Sequence, residues 1–486
     1  MVSEPSAVAH RDPGGAAGSA RWLARPSSRR ALFLAGAAIS LLMVLRTQVG
    51  GDQLDLLARG WRLAARGDLV PHGNPLSNGG NEPGAVTSLV VGLPLFLRMD
   101  HLAPVWLVWV THLLAWWLLD RTLARALGGG ARARTLFAAF YWLSPWQLYF
   151  AGLLWNPSYL FLAGAAHLAT LWAQRERASF GASFAHALTL GIAAQLHPSA
   201  MILVFASAFL LWRRYWRLHW VGFALGGALA CVTLIPWLAA VRADPTLLPG
   251  GKGFPFRGLV LVQPMLRGVG YWLRYPTFLI TAKMERPDFT GTLGASADAV
   301  LAPALNILRE LAGWLLLPVV LATWVLVWRR RSGLLRRALG ARASGRTWLA
   351  GYSLWVAAAA LLSFAASPTT VMGWQGLIGL HAAVLTVVLG LDAVLRTPRW
   401  RRYSWAVPAY AALAVLLLLG MAFSSPHYRC GGRQNINLAL LGDHAMFHDL
   451  KISERCPFPV EPVTGWWPDA LSKPGTLDAA VGSSSR

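Results

Sequence analysis

Charged residues are scarce in this chain of 486: Asp, Glu, Lys and Arg make up 13% of it, against 55% apolar residues. An average soluble domain carries about 25% charge, so a single soluble globular fold is excluded. Cysteine is scarcer still, with three residues, Cys231, Cys430 and Cys456. That number cannot build a disulfide-dense scaffold, and no Cys/His group has zinc-ligand spacing. The nucleophile elbow, the phosphate-binding glycine loop and the dinucleotide fingerprint are all missing. So are repeats of roughly 20–50 residues and any strand-period alternation.

What the sequence has is apolar length. Runs at 31–45, 105–119, 221–241, 311–328 and 405–423 approach the roughly 20 residues that a helix needs to cross a bilayer core. With water excluded from that core, a helix is the economical way to satisfy the backbone. We therefore read an all-α polytopic membrane protein with about 11 transmembrane helices. They are traced at 31–47, 105–120, 136–153, 157–173, 182–196, 199–212, 220–241, 311–328, 347–366, 375–395 and 405–423.

The formal charge of +23 looks like a nucleic-acid signal until its distribution is traced. Arginines gather between spans, at Arg29-Arg30, Arg132 and Arg134, Arg213-Arg214, Arg329-Arg330-Arg331, Arg336-Arg337, and Arg399, Arg401 and Arg402. On this tracing 25 of the 44 Lys and Arg, but only 5 of the 21 acids, face one side. Basic short loops mark the cytoplasm, so topology explains the arginines and nucleic-acid binding has little support. The N-terminus is expected in the cytoplasm and the C-terminus in the periplasm of a bacterial inner membrane. The bacterial origin is read by association from high Ala, Gly and Arg usage.

Domain organisation follows from the same tracing. Residues 1–30 are expected to be a disordered cytoplasmic N-terminus, followed by an uncleaved signal anchor. Residues 31–423 form the transmembrane domain, with a first periplasmic loop at 48–104 and a second large one at 242–310. Residues 424–486 form a small periplasmic tail. In the first loop, Leu54, Leu57, Trp61 and Ala64 recur at helical spacing, while Asp55, Arg59, Arg62 and Arg66 take the opposite face. That is the pattern of a helix lying in the membrane interface. The apolar stretch at 85–97 is short for a span, and crossing there would move the basic 121–134 loop outside. It reads as a second interfacial or re-entrant helix.

The first loop also holds the acids. Asp52-Gln53 opens its helix, Gly67-Asp68 follows fifteen residues on, and Glu82-Pro83 comes after a Gly/Asn-rich stretch. This arrangement resembles the first periplasmic loop of the GT-C glycosyltransferases. It is closest to the bacterial branch of aminoarabinose transferases and protein O-mannosyltransferase-like enzymes. The likeness is specific from Gly50 to Pro83 and architectural elsewhere. It implies that Asp52 is the catalytic aspartate, with Asp55, Asp68 and Glu82 as possible support. It also implies a polyprenyl-phosphate-linked sugar as donor and an extracytoplasmic lipid, glycan or protein as acceptor. No cofactor beyond that donor, and no divalent metal, is indicated. Two departures stand out: Gln53 replaces the usual Glu, and the Lys of the Glu-Lys-Pro segment is missing between Glu82 and Pro83. The donor phosphate must then be met from elsewhere.

Moving a sugar from such a donor to a hydroxyl needs a base for the hydroxyl proton and cations for the leaving phosphate. One base and no covalent nucleophile means direct displacement with inversion. Each acid also has a plainer reading. Asp52 suits a helix N-cap, with Asp55 three residues on nearly completing a capping box. Asp55 can pair with Arg59 one turn later, Asp68 suits a turn after Gly67, and Glu82 suits a solvated loop.

The second outer segment interleaves Lys252, Arg257, Arg267, Arg274, Lys283 and Arg286 with Phe254, Phe256, Tyr271, Trp272 and Tyr275. Arg267, Arg274 and Lys283 are candidates for the donor phosphate, although basic and aromatic residues decorate interfacial helices anyway. Arg267 and Arg274 are spaced to share a helix face. Trp155-Asn156-Pro157 and His197-Pro198 read first as turns between spans, and second as contributors to the cavity. His167, His186 and His381, inside spans, read as hydrogen-bonded core residues. Cys430 and Cys456 share the outer tail and are candidates for a disulfide. Two other activities stay open: a transporter or flippase for a lipid or glycan, and an O-antigen ligase or polymerase-like enzyme built on the late basic loop.

Overall fold

The computed structural model describes residues 21–47, 49–50, 52–76, 80–248, 262–280, 287–329, 343–367, 370–424 and 445–455. Among them the chain is helical apart from one short hairpin. In order come α1 (Pro26–Leu45), α2 (Asp52–Arg66), β1 (His72–Pro75), β2 (Asn81–Pro83), α3 (Val86–Leu97) and α4 (Leu102–Ala126). Then follow α5 (Ala131–Phe137), α6 (Pro145–Ala151), α7 (Asn156–Ala173), α8 (Phe180–Leu196), α9 (Met201–Trp212), α10 (Trp220–Val232) and α11 (Ile235–Ala243). The chain continues with α12 (Val262–Arg274), α13 (Ala295–Arg329), α14 (Gly345–Ala365), α15 (Leu380–Leu395) and α16 (Ala406–Phe423).

Among the described residues six helical segments are long and apolar enough to cross a membrane unaided, and α10 with α11, bent by 47°, reach that length and apolarity only as a pair. The other traced spans fall on shorter apolar helices or on helices broken by proline. Pro145, for instance, lacks the N–H that would carry a helix past Ser144. The centre of the bundle is α15, with its preceding 3-10 turn (Gly373–Gly379), where 83% of the apolar stretch is buried. Faces of α10, α11 and α13 instead expose Trp220, Leu225, Ile235, Trp314 and Leu315, as lipid-facing helices do.

The two ends of the bundle hold different chemistry. At one end Asp120 pairs with Arg134 and Arg29, and Asp392 with Arg132, Arg346 and Arg396. At the other, Arg46 Nη1 donates to the Ala422 carbonyl at 2.7 Å, and Thr292 Oγ1 to the Phe423 carbonyl at 3.1 Å. Here the tail returns to the first loop: Trp61 Nε1 donates to Asp449 Oδ2 at 2.9 Å, and the His101 N–H to the Leu450 carbonyl at 3.0 Å. Met446, Leu450 and Ile452 are buried beneath it. The loop after α1 and the tail after α16 thus share one end of the bundle.

Three expectations change. Residues 21–24 are already helical and α1 begins at Pro26, both inside the segment read as disordered; proline's fixed φ suits a first helical turn. α13 starts at Ala295 rather than 311, so its 35 residues span about 52 Å at 1.5 Å per residue. The polar residues Asp298, Arg309 and Glu310 lower the hydropathy of its first part and hide it in the sequence. Lastly, α2 is not half-solvated: Gln53 through Trp61 are all buried, Asp55 and Arg59 included. α3 covers it, with a Gly60–Gly92 contact so close that a Cβ on either glycine would overlap the facing helix.

Candidate active site

α2 opens with Asp52 and closes at Arg66, followed by Gly67, whose φ of +68° is natural for glycine. Asp52 is partly exposed, at the end of the bundle where the first loop meets residues 445–455. Its Oδ2 accepts a hydrogen bond from Trp155 Nε1 at 2.9 Å. An indole N–H only donates, so Trp155 orients the carboxylate without competing for a proton. The Trp155 ring in turn stacks on Phe150 (centroids 5.9 Å) and leans on Trp374 (5.0 Å).

One turn further along α2, Asp55 and Arg59 form a fully buried pair, with three hydrogen bonds of 2.8, 3.1 and 3.3 Å. Arg59 Nη1 also donates to the Nδ1 and the carbonyl of His72, both at 3.0 Å, which ties α2 to the hairpin. Burial, and then the Arg59 charge, push the His72 imidazole down to about 4. Asp68 lies outside this cluster, half-exposed, and pairs with Arg62 across the end of the helix. Its position is that of a turn residue.

The hairpin brings Glu82 in. Glu82 is 4% exposed and accepts a short hydrogen bond from Asn156 Nδ2. Burial pushes its carboxyl well above the usual carboxylate range. The Arg59 charge and an Asn74 N–H bond oppose that, and the Asp52 charge adds to it. Gly73 faces Glu82 where a Cβ would lie 2.8 Å from Glu82 Oε2, so only glycine leaves room. Beyond it, Gly84 (φ +85°) turns the chain against Gln195, and the Ala85 N–H bonds the Thr233 carbonyl at 3.0 Å. Two acids with opposed surroundings thus sit on one loop: Asp52 open and oriented, Glu82 sealed and held towards neutrality. Such a split is how one site separates a base from a neutral carboxyl.

Consecutive residues at the start of α7 therefore grip both acids, Trp155 holding Asp52 and Asn156 holding Glu82. In the sequence they read first as a turn and second as part of the cavity; the grips themselves leave no local signal, because their partners lie 103 and 74 residues away.

Of the basic candidates, Arg274 spends its guanidinium on the carbonyls of Leu279 and Ile280, which folds the turn after α12. Arg267 is exposed, with Nη2 3.7 Å from Met372 Sδ, two residues from Trp374 and hence on the Trp155 side of the site. Lys283, Cys430 and Cys456 lie outside the described residues; Cys231 is a free, exposed thiol. Among the described residues no group of three His, Cys, Asp or Glu is placed to hold a metal.

Inside the bundle, a buried chain links five helices. Tyr352 OH lies 2.8 Å from His381 Nε2 and 2.9 Å from His167 Nδ1. Ser207 Oγ lies 3.0 Å from His167 Nε2 and 2.9 Å from His186 Nε2. These histidines are hydrogen-bonded core residues.

Comparison with known proteins adds the frame. No protein-family model and no curated protein sequence matches the chain. Among solved structures it is similar to ArnT from Cupriavidus metallidurans bound to undecaprenyl phosphate. The TM-score is 0.50 at 15% identity, over 94% of this chain and 88% of that one. Apo ArnT from the same organism aligns over 82% and 76%, with 15% identity and a TM-score of 0.46. At this identity the first likeness is one of fold: the chain is a multi-pass helical membrane protein with the architecture of ArnT.

Proposed function

We propose that the protein is an integral-membrane glycosyltransferase of the GT-C type, moving a sugar from a polyprenyl-phosphate donor to an extracytoplasmic acceptor. The single observation that carries the reading is Asp52, a partly open carboxylate oriented by Trp155 on the first-loop helix. The ArnT-like fold and the Asp52, Gly67-Asp68 and Glu82-Pro83 spacing support it. In this reading the acceptor hydroxyl attacks the anomeric carbon as Asp52 takes its proton. The bond from that carbon to the phosphate oxygen breaks with inversion, and its electron pair leaves with the lipid phosphate. Arg267, the exposed guanidinium on the Trp374 side, is the cation we assign to that phosphate. Glu82 shapes the loop beside Asp52. The ArnT structure bound to undecaprenyl phosphate makes that lipid the first ligand to test.

The site then faces the periplasm of a bacterial inner membrane, with the N-terminus cytoplasmic. The test is transfer by full-length protein in nanodiscs, supplied with labelled undecaprenyl-phosphoryl sugars and a bacterial envelope extract as acceptor. Labelled product together with released undecaprenyl phosphate supports the proposal. A second reading, a transporter, rests on the buried His381–Tyr352–His167–Ser207–His186 chain, since polar groups at membrane depth often mark transport paths. Movement of the labelled lipid between leaflets without transfer favours it.

A further inference from the structure

We propose that Trp155 is a positioning residue for Asp52, and that the angled aromatic wall it forms with Trp374 receives the apolar face of the donor's sugar ring. The inference rests on the transferase reading above. Its first support is exposure. Trp142, Trp146 and Trp348 are fully buried core residues, whereas Trp155 and Trp374 are each partly open beside the partly open Asp52. Geometry is the second. The two rings meet at 5.0 Å with 54° between their planes, an angled pair rather than a stacked one, and Phe150 backs Trp155 in a stack.

The wall is also held rigid. Trp374 stands in the Gly373–Gly379 turn, which Tyr275 OH pins through the Gly373 carbonyl at 2.6 Å. Gln375 Oε1 pins it again by accepting the Met372 N–H at 2.8 Å. A tryptophan serving only as an interfacial anchor points its N–H at water or headgroups. Trp155 instead spends its N–H on a carboxylate of another element.

The chemistry matches a sugar. One face of a pyranose presents C–H groups, which the electron-rich face of an aromatic ring attracts. A ring lying on this wall sits next to the carboxylate that takes the acceptor's proton. The wall therefore selects sugars whose C–H face is unobstructed, and disfavours those bearing a bulky axial group on that face.

Two experiments on the full chain in nanodiscs test this. In the first, undecaprenyl-phosphoryl mannose carrying a diazirine on the sugar is photolysed with Asp52→Asn protein. Diazirine-bearing undecaprenyl phosphate without sugar is the control. We expect the sugar probe to label the segments containing Trp155 and Trp374 about fivefold above the control, and Trp374→Ala to remove most of that difference. Labelling elsewhere, or no excess over the control, overturns the wall. In the second, Trp155→Phe keeps the ring and removes the N–H. The expected result is a kcat lower by about tenfold, a donor KM within about twofold, and an acid limb of the kcat profile moved to higher pH. An unchanged kcat and acid limb overturn the positioning role. The two readings fail separately. Normal turnover by Asp52→Asn removes the base wherever the label falls, while a required Asp52 with label off the wall removes only the wall.

Discussion

Replacing Asp55 with Asn removes one charge and almost no volume, at a position with no exposure and three hydrogen bonds to Arg59. The guanidinium left behind keeps its bonds to His72 but loses its counter-ion in a site closed to water. Removing one partner of a buried pair costs about 3–5 kcal/mol. At 1.36 kcal/mol per decade, that raises the population of the opened loop by roughly 10²–10⁴-fold. Hydrogen exchange on the purified protein reads this directly. Amides from Leu54 to Trp61 lose protection by that factor, while those of α15, away from the loop, do not change. Substituting the pair together, Asp55→Leu with Arg59→Met, should recover most of the loss, because no unpaired charge remains. Exchange at the wild-type rate in Asp55→Asn would refute the claim that this pair holds the loop.

Glu82→Gln keeps the shape of a neutral carboxyl and an acceptor for Asn156, so it should melt close to wild type. Glu82→Ala strands a buried amide and should lose about 1–3 kcal/mol; equal melting of the two would count against a carboxyl held towards neutrality. His72 is neutral in the fold with its pKa near 4, against 6.5 when free. Between those values the unfolded chain binds the extra proton, so the stability His72 contributes is whole above pH 6.5 and is lost as pH falls towards 4. Melting from pH 8 to 5 should therefore show a steeper fall in wild type than in His72→Asn, and parallel curves would contradict this. Reporters fused after Arg331 and after Ser425 should lie on opposite sides of the membrane, cytoplasmic and periplasmic respectively. One shared side would break both the arginine asymmetry and the three crossings traced between these two points.

The sequence shows the helical membrane fold because apolar length and arginine position are local signals, set by bilayer thickness and membrane insertion. The Asp55–Arg59 pair was legible too, as an i,i+4 spacing. Its burial was not, since nothing in residues 52–66 says that α3 will cover the polar face. The α13 extension was hidden because tertiary packing sustains a helix through residues that lower its hydropathy. The grips of Trp155 and Asn156 were hidden for a different reason. A hydrogen bond between residues so far apart in the chain leaves no period and no motif, and a Trp-Asn-Pro turn is common enough to need no further explanation.

The account turns on one carboxylate. Asn in place of Asp52 keeps the volume and an acceptor for the Trp155 N–H, and removes the charge and with it the ability to take a proton. Full-length wild-type and Asp52→Asn proteins, matched for expression and for binding of undecaprenyl phosphate, would be compared for transfer from a labelled undecaprenyl-phosphoryl sugar. We predict unchanged lipid binding and transfer reduced by about 100-fold or more. Transfer at the wild-type rate by the well-folded Asn variant would contradict the assignment of Asp52 as the base.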